Sequence, residues 1–137
     1  MPNEIALDDK VLHLATSPSD KTYVMGGKCQ DCGEIIFPRK NNCLKCSGTR
    51  VETIPLSTEG EVYCSTSVHY NPPLYEGPMP YVIGEVLVKE GAVIQTPFTG
   101  CDMQKPLPIG TKVKLVLDSV GQDEKGNKLM VHKFKPV

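Results

Sequence analysis

The chain has 137 residues, enough for one domain or two very small ones. Its 15 Lys and Arg against 16 Asp and Glu leave a net charge of −1, so no basic field covers the molecule. That balance, with no tryptophan and few other aromatics, opposes an extended nucleic-acid surface. No apolar run reaches the length of a membrane span.

In chain order, residues 1–20 come first. Met1 to Lys10 is short, mixed and acidic, without the basic start or apolar core of a signal peptide. A reducing cytoplasm is the expected compartment. Ile5, Leu7, Val11, Leu12 and Leu14 carry a weak helical spacing that Thr16-Ser17-Pro18-Ser19 ends. The reading is a short helix or an arm that docks elsewhere. Tyr23-Val24-Met25 is a short apolar strand before Gly26-Gly27.

Two cysteine pairs follow, Cys29-Gln30-Asp31-Cys32 and Cys43-Leu44-Lys45-Cys46, ten residues apart. Two residues between thiolates let both point at one ion, and a second pair completes a tetrahedral sulfur shell. Gly33 and Ser47-Gly48 supply the small residues that let each knuckle turn back. In a reducing compartment such cysteines read as metal ligands rather than disulfides. A closed shell leaves no position for water, so the reading is structural zinc, with iron as the chemical alternative. Ile35-Ile36-Phe37 between the pairs is a strand that Pro38 ends.

From Ile54 the pattern changes to the period-two alternation of strands. Val62, Cys64, Thr66 and Val68 read as one face of the first long strand. Tyr63, Ser65, Ser67 and His69 read as the other. Pro72 to Pro80 is a proline-rich loop, taken as the candidate docking loop. Tyr81 to Lys89 is a second strand, Glu90-Gly91 a hairpin turn, and Ala92 to Phe98 a third strand. Gly100 to Gly110 holds two prolines and leaves little room for a helix. Thr111 to Val120 is a fourth strand, with Val113, Leu115 and Leu117 on one face. Leu129 to Phe134 is a fifth. Five strands with a long connection between the third and fourth predict a small barrel of OB type.

The expected organisation is mostly β: an arm over 1–20, a zinc-ribbon module over 21–55 and a five-stranded OB barrel over 56–137. Cys64, among valines, reads as a buried small residue. Cys101 is a candidate nucleophile, but no base or oxyanion site accompanies it in the sequence. His13, His69 and His132 are scattered. No catalytic residue is assigned. Lys28, Arg39, Lys40, Lys45 and Arg50 make the cysteine module locally basic.

Several segments together carry a resemblance. They are Gly27 to Gly33, Phe37-Pro38-Arg39, Cys43 to Cys46, Gly60 to Ser65, Pro80 to Gly84, Gly100-Cys101-Asp102 and Ile109 to Val113. Here the chain resembles the acyl-CoA-associated OB-fold family with a rubredoxin-like zinc ribbon. The resemblance implies a non-catalytic subunit beside a thiolase-type catalytic chain, stabilising it and helping to hold coenzyme A. It implies retro-Claisen thiolytic cleavage of a 3-oxoacyl-CoA such as benzoylsuccinyl-CoA, as in anaerobic toluene degradation, with the nucleophile on the partner. Lys28, Phe37, Arg39 and Lys40 are then the candidate coenzyme A contacts. Cations suit its phosphates, and an aromatic ring suits its adenine. A single-stranded nucleic-acid module is the alternative reading, because zinc knuckles and OB barrels recur there.

Overall fold

The computed structural model describes residues 4–15, 17–71, 73 and 79–137. Ten strands are present, and among the described residues there is no helix. The N-terminal segment is extended. β1 (Glu4–Ala6) pairs in parallel with β10 (Lys128–Pro136), and the Leu7 N–H continues the ladder onto the Met130 carbonyl. β2 (Leu12–His13) pairs with β3 (Tyr23–Cys29). This corrects the helical option for residues 1–20 in favour of the arm. The spacing of Ile5, Leu7 and Leu12 fits two short strands equally well. Leu12 is buried in the core while Leu7 stays exposed, so no single apolar stripe exists.

β3 is the centre of the ribbon sheet. It pairs with β4 (Ile35–Ile36) and β5 (Val51–Pro55) as well as β2. Gly26 and Gly27 stay inside β3 because the neighbours press against them. A Cβ on Gly26 would meet the Ile36 carbonyl at 2.9 Å.

The barrel is built from β6 (Glu59–Val68), β7 (Tyr81–Val88), β8 (Val93–Phe98), β9 (Lys112–Gln122) and β10. β6 pairs with β7 and β9, β7 with β8, and β10 with both β8 and β9, which closes five strands into an OB barrel. Val62, Val82, Val86, Ile94, Phe98, Val113 and Phe134 fill it. The ribbon is not separate from this core. Leu12, Val24 and Leu56 belong to the same buried cluster. Cys29, Ile36, Cys43 and Val51 form a small satellite cluster.

One face assignment is overturned. The β6–β7 register shifts between Val62 and Cys64, so Tyr63 is the extra residue of a β-bulge. A one-residue shift exchanges the faces beyond it. Cys64 therefore lies opposite Glu85 rather than among the valines, and its thiol points to Glu85 Oε1 at 3.5 Å. Ser65 and Ser67 turn inward instead. Their hydroxyls donate to the carbonyls of Leu107 and Met103, pinning the irregular 100–110 connection across the end of the barrel. Opposite the bulge, Gly84 admits no side chain, since a Cβ there would lie 2.1 Å from the Cys64 carbonyl oxygen.

The seam between β8 and β10 is short. It holds a single parallel pair, Phe98 with Phe134, reinforced by the Thr99 N–H on the Phe134 carbonyl at 2.9 Å. Above it the two strands splay apart.

Candidate metal centre and adjoining cleft

The two knuckles fold identically at the level of backbone hydrogen bonds. In the first, the Cys29 N–H donates to the Glu34 carbonyl at 2.9 Å and the Gly33 N–H to the Cys29 carbonyl at 2.9 Å. In the second, the Cys43 N–H donates to the Gly48 carbonyl at 2.8 Å and the Ser47 N–H to the Cys43 carbonyl at 3.0 Å. Each turn needs a left-handed residue after its second cysteine. Gly33 takes φ 80° without strain, whereas Ser47 takes φ 63° against its own Cβ. The second knuckle is closed from outside by Asp31, whose carboxylate receives Arg50 Nε at 2.9 Å and pairs with its guanidinium.

This folding brings the sulfurs of Cys29, Cys32, Cys43 and Cys46 within 4.8 Å of one another. Cys29 and Cys46 sulfurs are 3.6 Å apart, and those of Cys32 and Cys43 are 3.5 Å apart. A tetrahedral shell with metal–sulfur bonds of about 2.3 Å sets its sulfurs about 3.8 Å apart, so the cage fits such an ion. The Lys45 N–H donates to Cys43 Sγ at 3.3 Å, the outer contact that orients a thiolate ligand.

The thiols themselves ask for a cation. The N–H groups of Cys46 and Lys45 bring the Cys43 thiol down to about 7. At Cys32 the Glu34 N–H also lowers the pKa, but desolvation and the other three thiols outweigh it and push it up to about 12. At Cys46 the Gly48 N–H acts downward and the Cys29 thiol upward, and the net shift is upward. A divalent ion would supply the charge that holds Cys32 and Cys46 as thiolates against their upward shifts. The same sulfur shell suits zinc or iron. Among the described residues these four cysteines are the sole group of ligand-type side chains close enough to hold a metal ion.

Beside the ribbon lies a cleft of about 1300 Å3. Its floor is the splayed seam, with Gln95 to Phe98 of β8 and the following Thr99 on one side and Met130 to Lys133 of β10 on the other. Leu7, Val11 and Leu12 of the arm and Phe37 and Pro38 of the ribbon form the remaining walls. His132 bridges the seam. Its Nε2 lies 3.0 Å from the Gln95 carbonyl, so that nitrogen carries the proton and donates. Phe37 packs edge-on against the same ring, with centroids 6.1 Å apart. Burial holds the imidazole below its ordinary pKa, against the opposing pull of the Gln95 carbonyl. Below it, Lys133 Nζ meets Asp118 at 2.6 Å. No sequence pattern pointed to His132, because its partners are Gln95 of β8 and Phe37, just after β4.

The candidate coenzyme A residues are only partly gathered. Phe37 lines the cleft; Lys28, Arg39 and Lys40 do not. Lys28 and Lys40 are exposed, and Arg39 lays its stem beside Gly27 and donates to the Val51 carbonyl at 2.8 Å. Among the described residues no carboxylate pairs with these three. Lys45 and Arg50, by contrast, are matched by Glu34 and Asp31. Cys101 is half-buried, and burial followed by the Asp102 charge raises its thiol, the opposite of an activated nucleophile. His69 bonds to the Ser67 hydroxyl at 3.1 Å, and His13 pairs with Asp20 at 2.9 Å. No thiol lies within hydrogen-bond reach of an imidazole among the described residues. Most of the candidate docking loop, residues 72 and 74–78, lies outside the described residues. Among the described residues no helix is long and apolar enough to cross a membrane.

Fold and cage define a zinc-ribbon protein with a fused OB barrel. Residues 22–52 match the ChsH2 rubredoxin-like zinc ribbon domain, and residues 53–118 match the ChsH2 C-terminal OB-fold domain. A DUF35 domain-containing scaffold protein of Methanocaldococcus jannaschii is 34% identical over 120 residues, covering 86% of this chain and 84% of the relative. The chain belongs to this family of DUF35 domain-containing scaffold proteins. It is also similar to the benzoylsuccinyl-CoA thiolase subunit BbsA of Thauera aromatica, 28% identical over 134 residues, which are 90% of this chain and 85% of that subunit. Among solved structures, a chain of the Ltp2-ChsH2(DUF35) aldolase superposes with a TM-score of 0.64 at 28% identity. The match covers 83% of this chain and 84% of that one.

Proposed function

We propose that this chain is an accessory subunit that docks on a thiolase-type catalytic chain acting on acyl-CoA. The carrying observation is similarity along most of its length to proteins described as scaffolds and as a thiolase subunit. In this reading the partner supplies the nucleophile and bases for retro-Claisen cleavage of a 3-oxoacyl-CoA of the benzoylsuccinyl-CoA kind. This chain supplies a rigid surface. Zinc at Cys29, Cys32, Cys43 and Cys46 fixes the knuckles and takes no part in the chemistry. The arm (1–20), ribbon (21–55) and barrel (56–137) divide the work, the first two walling the cleft and the third forming its floor.

Lys28, Arg39 and Lys40 carry charge that no described carboxylate balances, which suits the phosphates of coenzyme A. Phe37, one or two residues before Pro38 and Arg39, puts an aromatic wall beside them. A single-stranded nucleic-acid module would need the outer β7–β8 face open. Here Phe37, Pro38 and the arm stand over part of that face, which favours the subunit reading.

Co-expression with a thiolase-type chain from the same genome tests the proposal by size exclusion with light scattering. Co-elution at micromolar concentration is expected, with thiolysis dependent on the pair; separate elution of both chains overturns the reading. Lys28→Glu with Lys40→Glu should weaken coenzyme A binding to the complex about tenfold in calorimetry, about 1.4 kcal/mol. Unchanged affinity removes those residues from the site. Elemental analysis should find zinc, and an iron–thiolate absorption band would replace zinc by iron.

A further inference from the structure

The cage has an asymmetry that structural zinc alone does not require. Cys32 and Cys46 are exposed, while Cys29 and Cys43 are buried. Each knuckle thus contributes one exposed and one buried cysteine residue. The close sulfur neighbours cross between knuckles: exposed Cys32 lies 3.5 Å from buried Cys43, and exposed Cys46 lies 3.6 Å from buried Cys29.

We infer that this cage is a peroxide-sensitive switch in which metal release is coupled to cross-knuckle disulfides, Cys32–Cys43 and Cys29–Cys46. The inference rests on the metal reading above and adds a regulation to it. Hydrogen peroxide reaches an exposed thiolate first. The sulfur attacks one peroxide oxygen, the O–O bond breaks, and hydroxide leaves and takes a proton to become water. The product is a sulfenic acid on Cys32 or Cys46. The buried thiolate opposite then attacks that sulfur, an S–S bond forms, the S–O bond breaks, and a second water leaves with a second proton. In sum two thiolates, one peroxide and two protons give one disulfide and two waters. The thiolates lose two electrons and the peroxide gains them. With two donors consumed the shell no longer holds its ion, and the second pair is open to the same reaction.

The consequence follows from the packing. Apart from the ligands, the satellite cluster holds only Ile36 and Val51. Without a cross-link, metal loss would free both knuckles. A cross-knuckle bond ties the first turn to the second and keeps the ribbon end closed. A bond within either knuckle would leave the two turns unlinked.

The test uses the zinc-loaded full chain, treated with hydrogen peroxide in stoichiometric steps. Zinc release is followed with a chromogenic chelator, and the products are alkylated and digested with trypsin. Cleavage after Lys28, Arg39, Lys45 and Arg50 places Cys29 and Cys32 on one peptide, Cys43 on a second and Cys46 on a third. The expected products join the first peptide to the second or to the third, and fragmentation of the linked peptides between Cys29 and Cys32 places the bonds at Cys32–Cys43 and Cys29–Cys46. They appear in step with zinc release, and dithiothreitol with zinc reverses both. A Cys29–Cys32 bond, a Cys43–Cys46 bond, sulfinic acids without cross-links, or zinc release with all thiols free each overturns the inference. A chain that is purified without metal refutes the metal reading instead. The same peptide map on that chain still decides the pairing.

Discussion

Replacing His132 by alanine tests how the splayed seam is held. The imidazole supplies the bond to the Gln95 carbonyl where the β8–β10 ladder has ended. Losing one such hydrogen bond costs about 1 kcal/mol. Losing the edge contact with Phe37 costs about 1 kcal/mol more. The sum, about 2 kcal/mol, should lower the melting temperature by about 6 °C in a domain of this size. The pH dependence gives a second readout. Burial lowers the folded pKa of His132, so above the ordinary histidine value both folded and unfolded forms are neutral. As pH falls below about 6.5 the unfolded chain takes up the proton first, and stability falls. This contribution is therefore full at pH 7.5 and lost on acidification, and the variant should lack that part of the slope. Urea melts of both proteins at pH 7.5 and 5.5, with zinc in excess, separate this effect from ligand protonation, which both share. A variant that melts within a degree of the parent, or keeps the same acid sensitivity, refutes the clasp.

Gly84→Ala should cost about 3 kcal/mol or more, because its Cβ would fall 2.1 Å from a backbone carbonyl of the paired strand. Urea midpoints and soluble yield check it, and a near-neutral effect would deny the close approach at the bulge. Ser47→Gly should stabilise by about 0.5 kcal/mol, the relief at φ 63° partly offset by a freer unfolded chain. A lower melting temperature with zinc retained would refute that strain. Chelation should release Cys29 to Cys46 to hydrogen exchange while Val24 and Leu56, which share the barrel core, stay protected. Equal loss of protection at Tyr23 to Met25 would mean a single cooperative unit.

That last prediction bears on the boundary that the sequence reading places between a ribbon over 21–55 and a barrel over 56–137. The change of pattern at Ile54 is real, since ribbon spacing gives way there to strand alternation. Packing ignores it, because Leu12 and Val24 from the first half enter the same core as Val62 and Phe134. The cage was legible for a local reason. Two residues between cysteines fix both sulfurs of a knuckle, and small residues after them permit the turn. The barrel strands were legible from alternation, with one failure at Tyr63. A bulge leaves no mark in apolar periodicity, so Cys64, Ser65, Thr66 and Ser67 of this strand were assigned to the wrong faces. The arm was ambiguous because the spacing of Ile5, Leu7, Val11, Leu12 and Leu14 suits a helix or two short strands. Only pairing with β10 and β3 decides between them.

The sequence by itself determined the gathering of four cysteines, the number of barrel strands and the irregular connection before the fourth. Each of these depends on neighbours close in the chain. Tertiary structure alone decided the cleft, the His132 clasp and the pairing of exposed with buried sulfurs. These depend on distances between Phe37, β8, β10 and two separate knuckles, which no local spacing encodes.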